Sequence, residues 1–93
     1  MKKIIAGRKY DTSTADEIAY REWFDKSVSR HQEETFYRKK NGEFFRFDEK
    51  STTWGNIENY QDIIPLTTES AQHYLAEILS VEEYEAIFGE VQE

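Results

Sequence analysis

The stretch ETFYRKKNGEFFRFDEK, residues 34–50, decides the fold. Asn41-Gly42 is a strong hairpin cue, because both residue types tolerate the positive φ that tight turns require. Aromatic residues flank the pair on both sides: Phe36 and Tyr37 before it, Phe44, Phe45 and Phe47 after it. Two registers fit. A two-residue type I′ turn sets Phe36 opposite Phe47 and Arg38 opposite Phe45. A three-residue loop with a glycine bulge sets Tyr37 opposite Phe45 and Lys39 opposite Glu43. Either register brings aromatic rings within cross-strand reach, so this segment is the heart of a β-sheet.

Upstream, Lys3-Ile4-Ile5 reads as a short strand that Ala6-Gly7 turns back into Arg8-Lys9-Tyr10. DTSTA (11–15) is a cluster of turn and cap formers. DEIAYREWF (16–24) fits both a helical and a two-residue period, and its short length and aromatic end favour a strand. DKSVSRHQ (25–32) is polar and reads as a loop. Downstream, STTWGNIENY (51–60) is a connector with one large aromatic, Trp54. DIIPL (62–66) is an edge strand or strand end, because Pro65 cannot donate to a ladder.

Two helices complete the chain. Thr67 is a good N-cap, followed by the apolar stripe Ala71, Tyr74, Leu75, Ile78 and Leu79. Ser80 caps the second helix, with Glu83 at N3 completing a capping box and Leu79 and Tyr84 spaced as a hydrophobic staple. Val81, Tyr84, Ile87 and Phe88 form its expected buried stripe, and Gly89 is a fitting C′ residue. The expected fold is α+β: a small antiparallel sheet of three or four strands with a C-terminal helical hairpin packed on one face, in two layers. The expected organisation is one domain over 1–93, mainly β over 1–66, a helical hairpin over 67–89 and a tail over 90–93.

Charge is distributed unevenly. Residues 1–50 hold all twelve Lys and Arg against ten acids, and residues 51–93 hold nine acids and no Lys or Arg, so a +2 half precedes a −9 half. Glu82 and Glu83 have a local reason to be acidic, since the first turn of a helix favours anions. Glu69, Glu77, Glu82, Glu85 and Glu90 are the candidate partner-binding residues, a carboxylate surface for a basic protein groove. Tyr37, Arg38, Lys39, Lys40 and Arg46 form the alternative, a basic-aromatic surface for single-stranded nucleic acid. A net charge of −7 opposes phosphate binding and disfavours that alternative.

No catalytic constellation stands out. The chain has no cysteine, no GxxxxGK[ST] and no GxGxxG. Neither His31, in a polar loop, nor His73, on the first helix, has a partner at metal-ligand spacing, and each reads as an ordinary surface residue. The expectation is a protein with no enzymatic activity and no cofactor. No run approaches the ~20 apolar residues of a membrane span, and the absence of cysteine fits the cytoplasm.

Four segments together, MKKIIAGRKYDTSTA, EETFYRKKNGEFF, IIPLT and LSVEEYEAIFGE, resemble a group of short proteins carried by phages, plasmids and other mobile elements of Gram-positive bacteria. The matching positions are Lys3 to Ile5, Tyr10 to Ala15, Phe36 to Phe45 and Tyr84 to Gly89. The match departs at residues 25–32 and 51–60. Some proteins similar to this group are anti-CRISPR proteins. The resemblance therefore implies an inhibitor acting in the bacterial cytoplasm on a Cas effector nuclease, Cas9-like first, with or without its guide RNA. It assigns no individual inhibitory residue.

Overall fold

A computed structural model describes residues 1–27, 29–52 and 60–92. Its elements are β1 (Lys2–Ile5), β2 (Arg8–Asp11), β3 (Asp16–Asp25), β4 (Arg30–Arg38), β5 (Phe44–Thr52), β6 (Tyr60–Leu66), α1 (Thr68–Ile78) and α2 (Val81–Phe88). The connector around Trp54 lies outside the described residues.

The Asn41-Gly42 hairpin takes the longer of its two registers. Tyr37 faces Phe45 and Arg38 faces Phe44. Lys39 N–H donates to the Glu43 carbonyl at 2.7 Å, and Gly42 N–H donates to the Lys39 carbonyl at 2.9 Å. Gly42 stands at φ +93°, the bulge position that this loop length reserves for glycine. Asn41 locks the corner, its Oδ1 accepting from Glu43 N–H at 3.0 Å.

β3, β4, β5 and β6 form one antiparallel sheet in that order, and β1 and β2 form a separate two-stranded ribbon. Residues 16–25 are strand, as their length and aromatic content indicate. The polar segment 25–32 is not all loop. Strand pairing runs on through Trp23↔Gln32, Phe24↔His31 and Asp25↔Arg30. The chain turns only after Asp25, whose Oδ1 accepts from Ser27 N–H at 3.0 Å and from the Ser27 hydroxyl at 2.6 Å. That side-chain turn, and an opposite-charge pair on the last rung, let a polar sequence extend a sheet.

The side chains alternate across the sheet and build a core on each face. On one face Phe36 and Phe44 pack with Ala71 and Leu75 of α1, and Tyr84, Ile87 and Phe88 of α2 join them. A bulge between Glu17 and Ala19 lets Ile18 and Ala19 both reach this cluster. On the other face Phe45 and Ile63 pack against Tyr10, with Ile5, Ala15, Tyr37 and Phe47 around them. The β1–β2 ribbon thus covers a face that a two-layer arrangement leaves bare. The expected α+β fold stands, with the helices on one side and a ribbon on the other.

Local signals at the helices act as expected. The Thr67 hydroxyl accepts from Ser70 N–H at 3.0 Å. Ser80 and Glu83 form the reciprocal capping box, at 3.2 Å and 3.1 Å. Gly89 ends α2 at φ +92° with its N–H on the Glu85 carbonyl at 2.8 Å. The buried stripe expected of α2 forms only in part: none of its residues is fully buried, Tyr84, Ile87 and Phe88 are half-buried against the helix-side core, and Val81 is 67% exposed.

The ribbon turn carries strain. Ala6 and Gly7 join Ile5 to Arg8 at φ +50° and +76°, the type I′ pattern. Alanine pays for this region with its Cβ, whereas asparagine enters it readily. Ala6→Asn is expected to stabilise the protein by about 0.5–1 kcal/mol. Urea unfolding at unchanged m-value reads this out, and a lower midpoint would contradict it.

Candidate functional site

Most acids of the acidic half belong to the helical hairpin and the tail that follows it, whereas Asp62 lies in β6. Glu69 lies in the first turn of α1, and Glu82 and Glu83 lie in the first turn of α2. Glu69, Glu77, Glu82 and Glu90 are exposed, and Glu85 is half-buried. Glu85 has a local task, its Oε2 accepting from Val91 N–H at 2.9 Å and folding the tail back beside α2. The Ser80 backbone N–H, together with the Ser80 hydroxyl, holds the Glu83 carboxyl below its usual range. Neither helix has a basic residue in its last turn.

Between the two helices and the returning tail runs an open groove of about 790 Å³, lined by Leu79, Val81, Tyr84, Val91, Glu85 and Glu90 among others. It is mainly apolar, with carboxylates on one wall. Of the five acids expected at a partner surface, Glu85 and Glu90 line this groove. Glu69, Glu77 and Glu82 lie outside its lining, on the exposed surface of the same hairpin.

The basic-aromatic candidates are not gathered in the same way. Tyr37 stacks on Phe45 at 5.0 Å and 11°, on the ribbon side of the sheet. Lys39 Nζ lies 3.6 Å from the Tyr10 ring centroid and 3.4 Å from Glu43 Oε1. Lys40 pairs with Asp16 at 2.9 Å. The Arg38 guanidinium lies 5.7 Å over Phe44. Arg46 is on the helix side, its Nε and Nη2 donating to the two Asp48 carboxylate oxygens at 2.6 Å and 2.8 Å. Alternation sends these five residues to different faces, and acids or rings already engage the cations.

Arg46 belongs to a charge network that the sequence does not advertise. Glu34 and Asp48 stand directly opposite each other on β4 and β5, and both are buried. Arg46 Nε reaches Glu34 Oε2 at 3.2 Å, and Arg21 Nε reaches Glu34 Oε1 at 2.6 Å. Tyr74 of α1 closes over both guanidiniums, at 5.4 Å from Arg46 and 5.6 Å from Arg21. Burial disfavours the Arg46 charge, but hydrogen bonding to Asp48 and the nearby carboxylates outweigh it and raise the Arg46 pKa. This is an architectural device: it fixes strand register, because a one-residue slip would send every one of these charges to the other face.

A second polar group lies on the opposite face, towards the turn that joins β3 to β4. Glu22 faces Glu33 across the strands, and Phe24 faces His31 two rungs along, on the same face. His31 Nε2 lies 3.1 Å from Glu22 Oε2 and 3.8 Å from Glu33 Oε1. The Tyr20 hydroxyl has its single proton within reach of the same two oxygens, at 3.0 Å from Glu22 and 2.7 Å from Glu33. The Glu33 hydrogen bond first, then burial and Glu22, push the Tyr20 pKa upward. Reading 25–32 as a loop hides this cluster, because only the strand pairing brings His31 to the two acids.

Among the described residues, no helix is long and apolar enough to cross a membrane. Comparisons of the chain with protein-family models, with curated proteins and with solved structures find no match.

Proposed function

We propose that the protein is a non-enzymatic inhibitor that seats its acidic helical hairpin on the cationic, nucleic-acid-binding surface of a bacterial protein. The target implied by the resemblance is a Cas effector nuclease, Cas9-like first. The observation that carries this reading is the hairpin itself: Glu69, Glu77 and Glu82 exposed on it, and Glu85 and Glu90 lining its mainly apolar groove, in a half of the chain without Lys or Arg.

Carboxylates engage Arg and Lys through charge-assisted hydrogen bonds, much as phosphates do. Cas effectors hold nucleic acid in positively charged channels, which an acidic protein can occupy in its place. The net charge of −7 would steer that encounter, and the groove would give the interface an apolar centre inside a charged rim. Direct binding of single strands by the 36–46 hairpin has less support, because Lys39, Lys40 and Arg46 are each paired with an acid.

Pull-down with a panel of purified Cas effectors, with and without guide RNA, tests the proposal. The expected result is retention of at least one effector and loss of its DNA cleavage when the protein is added. Failure to retain any effector in either state would remove Cas nucleases as the target.

A further inference from the structure

Among the carboxylates that the sheet sets directly opposite each other on neighbouring strands are the pairs Glu34–Asp48 and Glu22–Glu33. They lie on opposite faces, because Glu33 and Glu34 are adjacent in β4. Like charges so placed repel and destabilise a ladder. On the helix side, the pair Glu34 and Asp48 is bridged by the guanidiniums of Arg21 and Arg46. On the other side stands the pair Glu22 and Glu33, with Glu49 opposite Glu33 on β5. Among the described residues, no Lys or Arg bridges Glu22 and Glu33, and the side chain that reaches both is the His31 imidazole.

We propose that Glu22, His31 and Glu33 form a binding site for a divalent transition metal ion of the Zn²⁺ type. One imidazole nitrogen and two carboxylate oxygens are a donor set that suits Zn²⁺, and three protein ligands leave a fourth position for water or a partner's donor. The ligand atoms all lie within 4.8 Å of one another. Tetrahedral Zn²⁺ with bonds of about 2.0–2.1 Å places neighbouring ligand atoms about 3.4 Å apart. The separations from His31 Nε2 to the two carboxylates, 3.1 Å and 3.8 Å, bracket that edge.

The support around the site matches what a metal requires. Both ligating strands are held in a regular ladder at these rungs, so the donors are positioned before any ion arrives. The Tyr20 hydroxyl lies within hydrogen-bonding distance of Glu22 Oε2 and Glu33 Oε1, the oxygens that face His31, and its one proton, shared between them, orients them as an outer-shell partner does. The side chains of Glu22, His31 and Glu33 are between a third and about half exposed, which leaves an entry path. A bound ion would take the place of the proton that His31 Nε2 shares with Glu22, neutralise the carboxylate repulsion, and tie β3 to β4.

Isothermal titration of untagged protein with ZnCl₂ alone tests this, supported by the visible spectrum of a Co²⁺ titration. The expected result is one saturable site that His31→Ala and Glu33→Gln each weaken at least tenfold, and that His73→Ala leaves unchanged. A higher melting temperature with Zn²⁺ should accompany it, and be lost in the same two variants. Far-UV circular dichroism verifies that both variants fold, and Glu33→Gln keeps the shape of the side chain it replaces. Absence of saturable binding, or binding that His31→Ala and Glu33→Gln leave intact, overturns the assignment.

Discussion

Replacing Arg46 with methionine is expected to destabilise the protein by about 3 kcal/mol or more, because it strands a buried charge. Asp48 is 6% exposed and would lose both of its guanidinium hydrogen bonds. Glu34 would keep Arg21 at 2.6 Å, so the orphan is Asp48. Breaking a buried pair is costly in this way, whereas replacing both partners by apolar side chains is often nearly neutral. The double variant Arg46→Met/Asp48→Leu should therefore recover most of the loss. Urea denaturation of the two single variants and the double variant measures the coupling. A single-variant cost under about 1 kcal/mol would place the pair among ordinary surface ion pairs.

Phe45→Ala is expected to cost about 3–5 kcal/mol, the range for removing a buried aromatic ring. Phe45 is fully buried. Tyr10 meets it edge-on at 5.5 Å, and Tyr37 stacks on it at 5.0 Å. Its loss should act unevenly across the molecule. The β1–β2 ribbon makes its own small sheet and packs on the larger one through Tyr10 and Ile5. Two-stranded ribbons are marginal alone, so the ribbon should detach first. Hydrogen exchange is the discriminating measurement. Amides of Arg8 to Asp11 should lose protection well before those of β4 and β5. Equal loss in both regions would mean that the ribbon does not depend on this contact.

Local chemistry made much of this fold legible. Asn41-Gly42 announced the hairpin, and Thr67, Ser80 and Gly89 marked helix ends that form as read. The choice between hairpin registers was not legible, because both placed aromatics in reach. The two-sided core settles it: Phe36 shares a face with Phe44, and Tyr37 with Phe45, and the longer loop alone of the two pairs the strands that way. Polar composition misled at 25–32, where the ladder extends through Phe24↔His31 and Asp25↔Arg30. Hydrophobic spacing misled at Val81, because a stripe on a short helix does not say how far the helix overhangs its support.

The charge networks were the least visible of all. Arg46 and Asp48 are two residues apart, as are His31 and Glu33, but it takes strand pairing to bring Arg21 and Glu34 to the first pair and Glu22 to the second. The acidic half, by contrast, was plain from counting, and the fold assigns most of those acids to one helical surface. Glu83 and Glu85 have structural tasks there, while Glu69, Glu77, Glu82 and Glu90 remain exposed.

Charge reversal on that exposed surface tests the proposed interface most directly. The measurement is the affinity of the triple variant Glu77→Lys/Glu82→Lys/Glu90→Lys for the retained Cas effector, relative to the unmodified protein, at low and high salt. The account predicts at least a tenfold loss of affinity at low salt and a smaller difference as salt screens the contact. Unchanged affinity at low salt, with the variant folded, would contradict it and move the interface off the helical hairpin.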